Sequence, residues 1–324
     1  MKKIPTSTKI FALLGILVII TVVVQIIAAN RMLNDRRLWR GAESTEALKT
    51  ALETRSKTYR KVQAGPFSKI IVKNGVNVQI IKSDSYSVYR SNYNRARIEI
   101  SEEAGVLYIS DKNDYFQFGD TPVFVLMPEE PDVCFTSGLS MRNEISGFDG
   151  HRTKVSIDSA DICLQTNLKH LNIAVRNGNL KLRTGSRYSS PAAHTDITIR
   201  AEQSEITFLD SLSKSVDIQM NLNKSMCDVF VHEQALIGKI KLTGNLAPYL
   251  RQYGLKENIT LLTQIDSRAI CDSLLVNLRV PEDKRYEFVV SEGLQVQYEE
   301  VNVTGRVDVM RREIERRRTF WPND

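Results

Sequence analysis

The chain of 324 residues, 42% apolar and 25% charged, has the composition of an ordinary folded protein, can bury a core, and is not a disordered tether. Its formal charge of +6 and pI near 9.0 gather at the ends, in Arg31 to Arg40 and Arg306 to Arg318, so the basicity is terminal and no nucleic-acid partner is expected. Cys134, Cys163, Cys227 and Cys271 form no Cys-x-x-Cys pair, which argues against a zinc knuckle, a thioredoxin-like centre and a disulfide scaffold.

Lys2, Lys3 and Lys9 precede an uncharged run from Ile10 to Ala29, which as a helix rises about 30 Å and spans a hydrocarbon core. Ile27-Ala28-Ala29 offers a small-residue cleavage site, but the run exceeds the apolar region of about 7 to 15 residues usual in a signal peptide, so an uncleaved anchor is expected. Residues 1–30 are thus read as a cytoplasmic N-terminus and transmembrane anchor whose partner is the lipid bilayer through residues 10–29. Arg31, Arg36, Arg37 and Arg40 compete with the lysines under the positive-inside tendency. The large trailing domain favours export, giving a single-pass protein of the inner membrane with its C-terminal domain outside. Residues 31–61, with Leu33, Leu38, Trp39, Ala42, Ala47, Leu48 and Leu52 at loosely helical spacing, read as a juxtamembrane helical stalk.

The pattern then changes to period two over residues 62–250. Phe67-Ser68-Lys69-Ile70-Ile71-Val72 and Val76-Asn77-Val78-Gln79-Ile80-Ile81 flank Asn74-Gly75, the signal of two strands joined by a tight connection. Tyr86-Ser87-Val88-Tyr89, Ile98-Glu99-Ile100-Ser101 and Val106-Leu107-Tyr108-Ile109-Ser110 continue the alternation. In order and turn placement these segments resemble the opening of the auto-transporter adhesin head domain, also called the GIN domain or domain of unknown function 2807, common in Bacteroidetes envelope proteins. The resemblance covers roughly Phe67 to Leu246 and implies a β-solenoid with irregular rungs, no catalytic residues, and an adhesin-like role. In this chain Asp, Asn and Lys occupy turn positions where that family often has Gly and Ser.

From Val155 to Leu242, alternating segments recur. Taking Ile157, Ile173, Ile197, Ile218 and Ile240 as equivalent points, the period averages roughly 21 residues, one coil of a stacked solenoid. An offset set, Ile162-Cys163-Leu164, Leu180-Lys181-Leu182, Ile206-Thr207-Phe208 and Cys227-Asp228-Val229-Phe230-Val231, gives each repeat at least two strands. The turns, Asp158-Ser159, Asn177-Gly178-Asn179, Glu202-Gln203-Ser204 and Asn223-Lys224-Ser225, tolerate left-handed backbone. Thr184 to His194 reads as a bulging insertion. The expected fold is all-β, a right-handed β-helix or β-solenoid, with one N-terminal transmembrane helix. Residues 251–310 are expected to extend or cap it. Residues 311–324 read as a charged tail, solvated or bound to anionic head groups.

No nucleotide loop or hydrolase elbow is present, and no cofactor is implied. His170 and His194 fall at comparable points before a repeat strand, the one place where a metal pair is conceivable; no metal is expected. Asp158, Asp161, Asp196 and Asp217 are the carboxylates a β-helix polysaccharide enzyme would use. Asp196 and Asp217 should stack about 5 Å apart and repel unless Lys239, in the equivalent place one rung on, neutralises them. The first reading is a non-enzymatic, membrane-anchored envelope protein whose solenoid binds a protein or glycan. The alternatives are a self-assembling, homo-oligomeric scaffold and a carbohydrate-active enzyme using Asp196 and Asp217.

Overall fold

The computed structural model describes residues 14, 16–27, 30, 42, 44–56, 58–62, 65–92, 97–112, 122–185, 193–210, 214–247, 261–283 and 285–314. The protein is mostly β: among these residues 22 strands join one hydrogen-bonded network. They fall into two ladders that the chain visits in turn. The front ladder runs, in spatial order, β5 (Ile98–Glu103), β6 (Val106–Asp111), β2 (Lys69–Lys73), β8 (Asp132–Thr136), β10 (Lys154–Asp158), β12 (His170–Arg176), β14 (His194–Glu202), the first half of β16 (Ser215–Phe230), β17 (Leu236–Leu246), β19 (Ile270–Arg279) and β21 (Gln295–Thr304). The back ladder runs β1 (Tyr59–Val62), β4 (Ser87–Ser91), β7 (Val123–Met127), β3 (Val78–Lys82), β9 (Leu139–Ser146), β11 (Asp161–Thr166), β13 (Asn179–Thr184), β15 (Glu205–Leu209), the second half of β16, β18 (Leu261–Asp266), β20 (Tyr286–Ser291) and β22 (Val307–Arg312). Pairing is parallel except for β5 on β6, β4 on β7 and β1 on β4.

Period-two alternation explains the burial. In β12, Leu171, Ile173 and Val175 are buried while Asn172, Ala174 and Arg176 are exposed, so one face meets the core and the other water. Inward residues of both ladders form a single core from Phe67 to Leu294. Side chains stack in columns along it: Val155, Ile173, Ile199, Met220, Leu242, Val276 and Val301 are successive register neighbours.

This register corrects the sequence alignment in part. Ile197, Ile218 and Ile240 do line up, but Ile157 stands beside Val175 and Ile173 beside Ile199, each two residues from the expected partner. Circuits differ in length: from Val155 the chain returns to its column after 18 residues at Ile173, then after 26 at Ile199 and 21 at Met220. An even shift keeps each side chain on its own face, so apolar matching alone cannot detect it.

Asn74-Gly75 joins two strands as expected: the two residues, with φ of 57° and 72°, turn the chain from β2 in the front ladder into β3 in the back one, and the two strands do not pair with each other. The same corner recurs at Ser137, Ser159, Asn177, Gln203 and Lys224, all left-handed with φ between 48° and 61°. These corners are tied to one another. The amide of Ser137 donates to Asp158 O (3.2 Å), Ser159 to Arg176 O (2.9 Å), Asn177 to Glu202 O (3.0 Å) and Gln203 to Asn223 O (2.8 Å). The following residue is small each time (Gly75, Gly138, Ala160, Gly178, Ser204, Ser225), because the corners stack closely: a Cβ on Gly178 would lie 2.2 Å from the carbonyl oxygen of Ala160.

A short helix, Thr45–Thr50, begins where Ser44 Oγ accepts from the amide of Ala47 (3.2 Å) and continues as a π-helical turn, Ala51–Arg55. Its Leu48 and Leu52 pack with Tyr59, Ile81, Tyr89, Phe124 and Leu126 on the outer side of the back ladder. That layer is why β3 and β7 are buried on both faces and read as continuous apolar runs.

Residues 16–27 are helical with Leu14, Ile16 to Ile20, Val22 to Val24, Ile26 and Ile27 exposed. No helix among the described residues is long and apolar enough to cross a membrane. The expected span over 10–29 is thus not shown: residues 10–13, 15, 28 and 29 lie outside the described residues, and the twelve described helical residues from 16 to 27 rise about 18 Å. Lys2, Lys3, Lys9, Ile10, Ala28, Ala29, Arg31 to Arg40 with Trp39, most of the 184–194 insertion, and residues 315–324 of the expected tail lie outside the described residues.

Candidate functional site

The outer face of the front ladder brings the sequence-predicted side chains together. His170, Asp196, Asp217, Lys239, Ser273 and Tyr298 form one column of register neighbours at the start of their strands, spaced at the strand separation of about 4.8 Å. The expected stacking of Asp196, Asp217 and Lys239 is thus observed. His170 Nδ1 lies 3.9 Å from Asp196 Oδ2 and His194 Nε2 lies 3.7 Å from Asp217 Oδ2, all four side chains being partly exposed. Each carboxylate therefore faces an imidazole as well as its like-charged neighbour.

His170 and His194 do not pair with each other. The ring of His151 stacks on His170 at 3.9 Å between centroids, while His194 Nδ1 meets Ser215 Oγ at 3.0 Å. Among the described residues no group of three or more His, Cys, Asp or Glu is arranged to hold a metal ion. Nor do the four carboxylates converge. Asp158 stands between Thr136 and Arg176 at the corner of the front ladder, and Asp161 lies in the back ladder, where its Oδ1 accepts from the amide of Asn179 (3.2 Å).

Asp217 also sits on an irregularity. Gly238 is the extra residue of a bulge in β17, and a Cβ there would come within 2.4 Å of Asp217 Oδ1. Asp196→Asn is expected to leave the unfolding free energy within about 0.5 kcal/mol of wild type, since partly exposed ion pairs contribute little; thermal melts at neutral pH check this, and a larger loss would mean the column is a structural element.

Two further columns on this face escaped the sequence reading, which followed only apolar positions. Ala174, Arg200, Asn221, Thr243, Asn277 and Asn302 are register neighbours, as are Asn172, Thr198, Gln219, Lys241, Leu275 and Glu300. Asn172, Gln219, Asn221, Asn277 and Asn302 are exposed. Amides at regular spacing offer both donors and acceptors to a ligand lying across the strands. Their signal was the polar partner in each alternation, recognisable only once the register is known.

The back ladder is crowded on its outer side. Asp228 is partly buried there, and desolvation, with the charge of Glu205 adding to it, pushes its carboxyl up to about 7 against the opposing amide of Gln264 at 3.3 Å. Glu205 keeps solvent contact, yet its carboxyl is raised too, mainly by desolvation, with Lys181 opposing and Asp161 assisting. All four cysteines are free; burial raises the thiols of Cys163 and Cys271 to about 11 and that of Cys227 further, so these three are inert core groups.

No family model matches the chain, and no curated protein matches it. Solved structures do. A proposed adhesin of Parabacteroides merdae aligns at 12% identity over 80% of this chain and 96% of its own, with a TM-score of 0.42. A proposed lipid-binding protein of Parabacteroides distasonis aligns at 11% identity over 79% and 96%, with a TM-score of 0.44. A proposed adhesin of Bacteroides fragilis aligns at 11% identity over 78% and 95%, with a TM-score of 0.33. Values of this size assign neither a family nor an activity to the chain.

Proposed function

We propose that the chain is a non-enzymatic, membrane-tethered protein of the cell envelope whose two ladders form a right-handed β-solenoid that presents its front face to an extended ligand, a protein or a glycan. The observation that carries this reading is the set of parallel polar columns on the exposed front face, running across successive strands from His170, Asn172 and Ala174 to Tyr298, Glu300 and Asn302. A long ligand meets the same chemistry at every strand, so many weak contacts add along its length. Right-handed winding is favoured because parallel crossovers take that hand almost without exception. Tethering at the inner membrane, single-pass and with the ladders outside, is supported by the Ile10 to Ala29 run and by the exposed apolar side chains of residues 14 and 16–27.

Two experiments test the parts separately. In spheroplasts, protease is expected to digest a C-terminally tagged domain while a cytoplasmic control stays intact; protection of the tag would place the ladders inside and remove the envelope role. On arrays of envelope glycans and proteins, the full chain in nanodiscs is expected to lose at least about tenfold in binding when Gln219, Asn221 and Asn277 are all changed to Ala, each lost hydrogen bond contributing about 1 kcal/mol. Undiminished binding by that variant, with an unaltered melt, would put the ligand elsewhere. Asp196 and Asp217 as register neighbours favour the carbohydrate-active reading, which requires polysaccharide turnover that disappears in Asp196→Asn and Asp217→Asn.

A further inference from the structure

A parallel ladder stops only where something prevents the next strand from adding. At one end the parallel order is broken: β5 pairs antiparallel on β6 in the front ladder and β4 and β1 pair antiparallel in the back one, where the Thr45–Thr50 helix packs against the back ladder. At the other end, among the described residues, β21 pairs only with β19 and β22 only with β20. Their outer edges carry main-chain donors and acceptors with no further strand, a standing template for addition. The core behind them is thinly covered, with Val296, Val301, Val303 and Val307 only partly buried and Val309 51% exposed.

A strand that continued this end would need apolar side chains at every second position, in register with the columns beneath. The sequence with that pattern is the chain itself. The last turn, however, breaks its own pattern. The front column Leu171, Ile197, Ile218, Ile240, Leu274 ends in Glu299. The back column Leu164, Leu182, Phe208, Val229, Ile265, Val290 ends in Arg311. These two residues, each the one charge among the register neighbours just named, meet across the end: Arg311 Nη2 donates to Glu299 Oε2.

We infer that the last turn is a docking edge for a second copy of this chain and that the Glu299–Arg311 pair holds it shut. Docking would bury both ions, and their mutual attraction does not repay that desolvation unless the geometry is very good. Side chains on the other inward positions of β21 and β22 present no such obstacle. This inference rests on the ladder register and is independent of what the front face binds. A tail-to-tail contact is isologous and closes on itself, so unlocking the pair leads to two copies and not to a filament.

The test uses the full chain in detergent, followed by sedimentation velocity over a wide concentration range. The wild type and the charge-swapped Glu299→Arg/Arg311→Glu variant are expected to show no end-to-end association. Glu299→Leu/Arg311→Leu is expected to tighten self-association by at least about 100-fold, since it replaces two desolvation penalties with apolar contact. A reporter Asn302→Cys, cross-linked with a bismaleimide, distinguishes association through this end from association through the N-terminal helix. Cross-linking in the wild type equal to that in the double-leucine variant would overturn the inference, as would a natively folded double-leucine variant that fails to cross-link. Should that variant not fold, Glu299→Gln must raise cross-linking in the same direction by a smaller factor, and no change there overturns the inference. Filaments would overturn the two-copy limit.

Discussion

Phe208→Ala is expected to lower the unfolding free energy by about 3–5 kcal/mol, the range for removing a fully buried aromatic ring from a packed core. Phe208 has no solvent exposure and lies in the back ladder between Leu182 and Val229, its register neighbours on either side. The loss combines the transfer free energy of the ring with a cavity that the flanking strands cannot collapse, since their spacing is held by main-chain hydrogen bonds. Leu275→Ala is the natural control. Leu275 points to the outer side of the front ladder and is only partly buried, so its truncation should cost about 1 kcal/mol or less. Urea unfolding of both variants checks the pair. A cost below about 1 kcal/mol for Phe208→Ala would mean that the two ladders do not share a tightly packed interior. Because each strand rests on its neighbours, Phe208→Ala combined with Val229→Ala should depart from additivity, whereas Phe208→Ala with Val72→Ala should not.

Asp228→Asn is expected to stabilise the protein above neutral pH and to leave it unchanged near pH 4. The folded-state carboxyl titrates at about 7 against 3.8 for the free group. Between these values the folded state holds a proton that the unfolded chain has lost, so stability contributed by the neutral acid is complete below pH 3.8 and is lost as pH rises through 7. At roughly 1.36 kcal/mol per unit the ceiling is about 4 kcal/mol, and partial solvent contact reduces it to an effect on the order of 2 kcal/mol. Asparagine keeps an oxygen for the amide of Gln264 and carries no charge to desolvate. Melting temperatures of wild type and variant at about pH 4 and about pH 8 provide the measurement. The two should converge at the acid end and separate at the alkaline end, with a residual slope in the variant from Glu205, whose carboxyl is shifted the same way. Equal melting temperatures at pH 8 would show that the Asp228 carboxyl is solvated in the folded chain.

Strand content was legible because alternation in segments such as Leu171-Asn172-Ile173-Ala174-Val175 is imposed by the pleat and needs no knowledge of partners. The corners were legible for a related reason: Ser159, Asn177, Gln203 and Lys224 occupy left-handed backbone inside the turns that polarity marked. Pairing was harder. Ile157 and Ile173 look equivalent as residue types, yet Val175 is the true neighbour of Ile157, and nothing local distinguishes a circuit of 18 residues from one of 26. Asn74-Gly75 carries the chemistry of a hairpin turn but serves as a corner, since both need the same positive φ. Of the candidate site, the Asp196, Asp217, Lys239 column could be seen because each residue directly precedes an apolar landmark. The asparagine column has no such landmark. Glu299 and Arg311 were invisible for the opposite reason: a charge in an alternating strand is assumed to face water, and only the register puts these two on the inside.

The stacked corners divide the molecule into an edge of constant geometry and an edge of free length. From β10 to β15, each passage from front to back takes two residues: 159–160, 177–178 and 203–204. The return passages are three residues at 167–169 and nine at 185–193. Differences in circuit length are therefore absorbed almost wholly on one side, in the return passages. New sequence spliced in at 185–193 would add surface without changing the pitch of the columns, whereas 167–169 is held by the buried Leu168, and a single residue added between Asn177 and Gly178 would put every later strand out of step. The chain can thus vary its outline in descent while its ruler stays the same, and the side that varies is the one to use for grafting a foreign peptide.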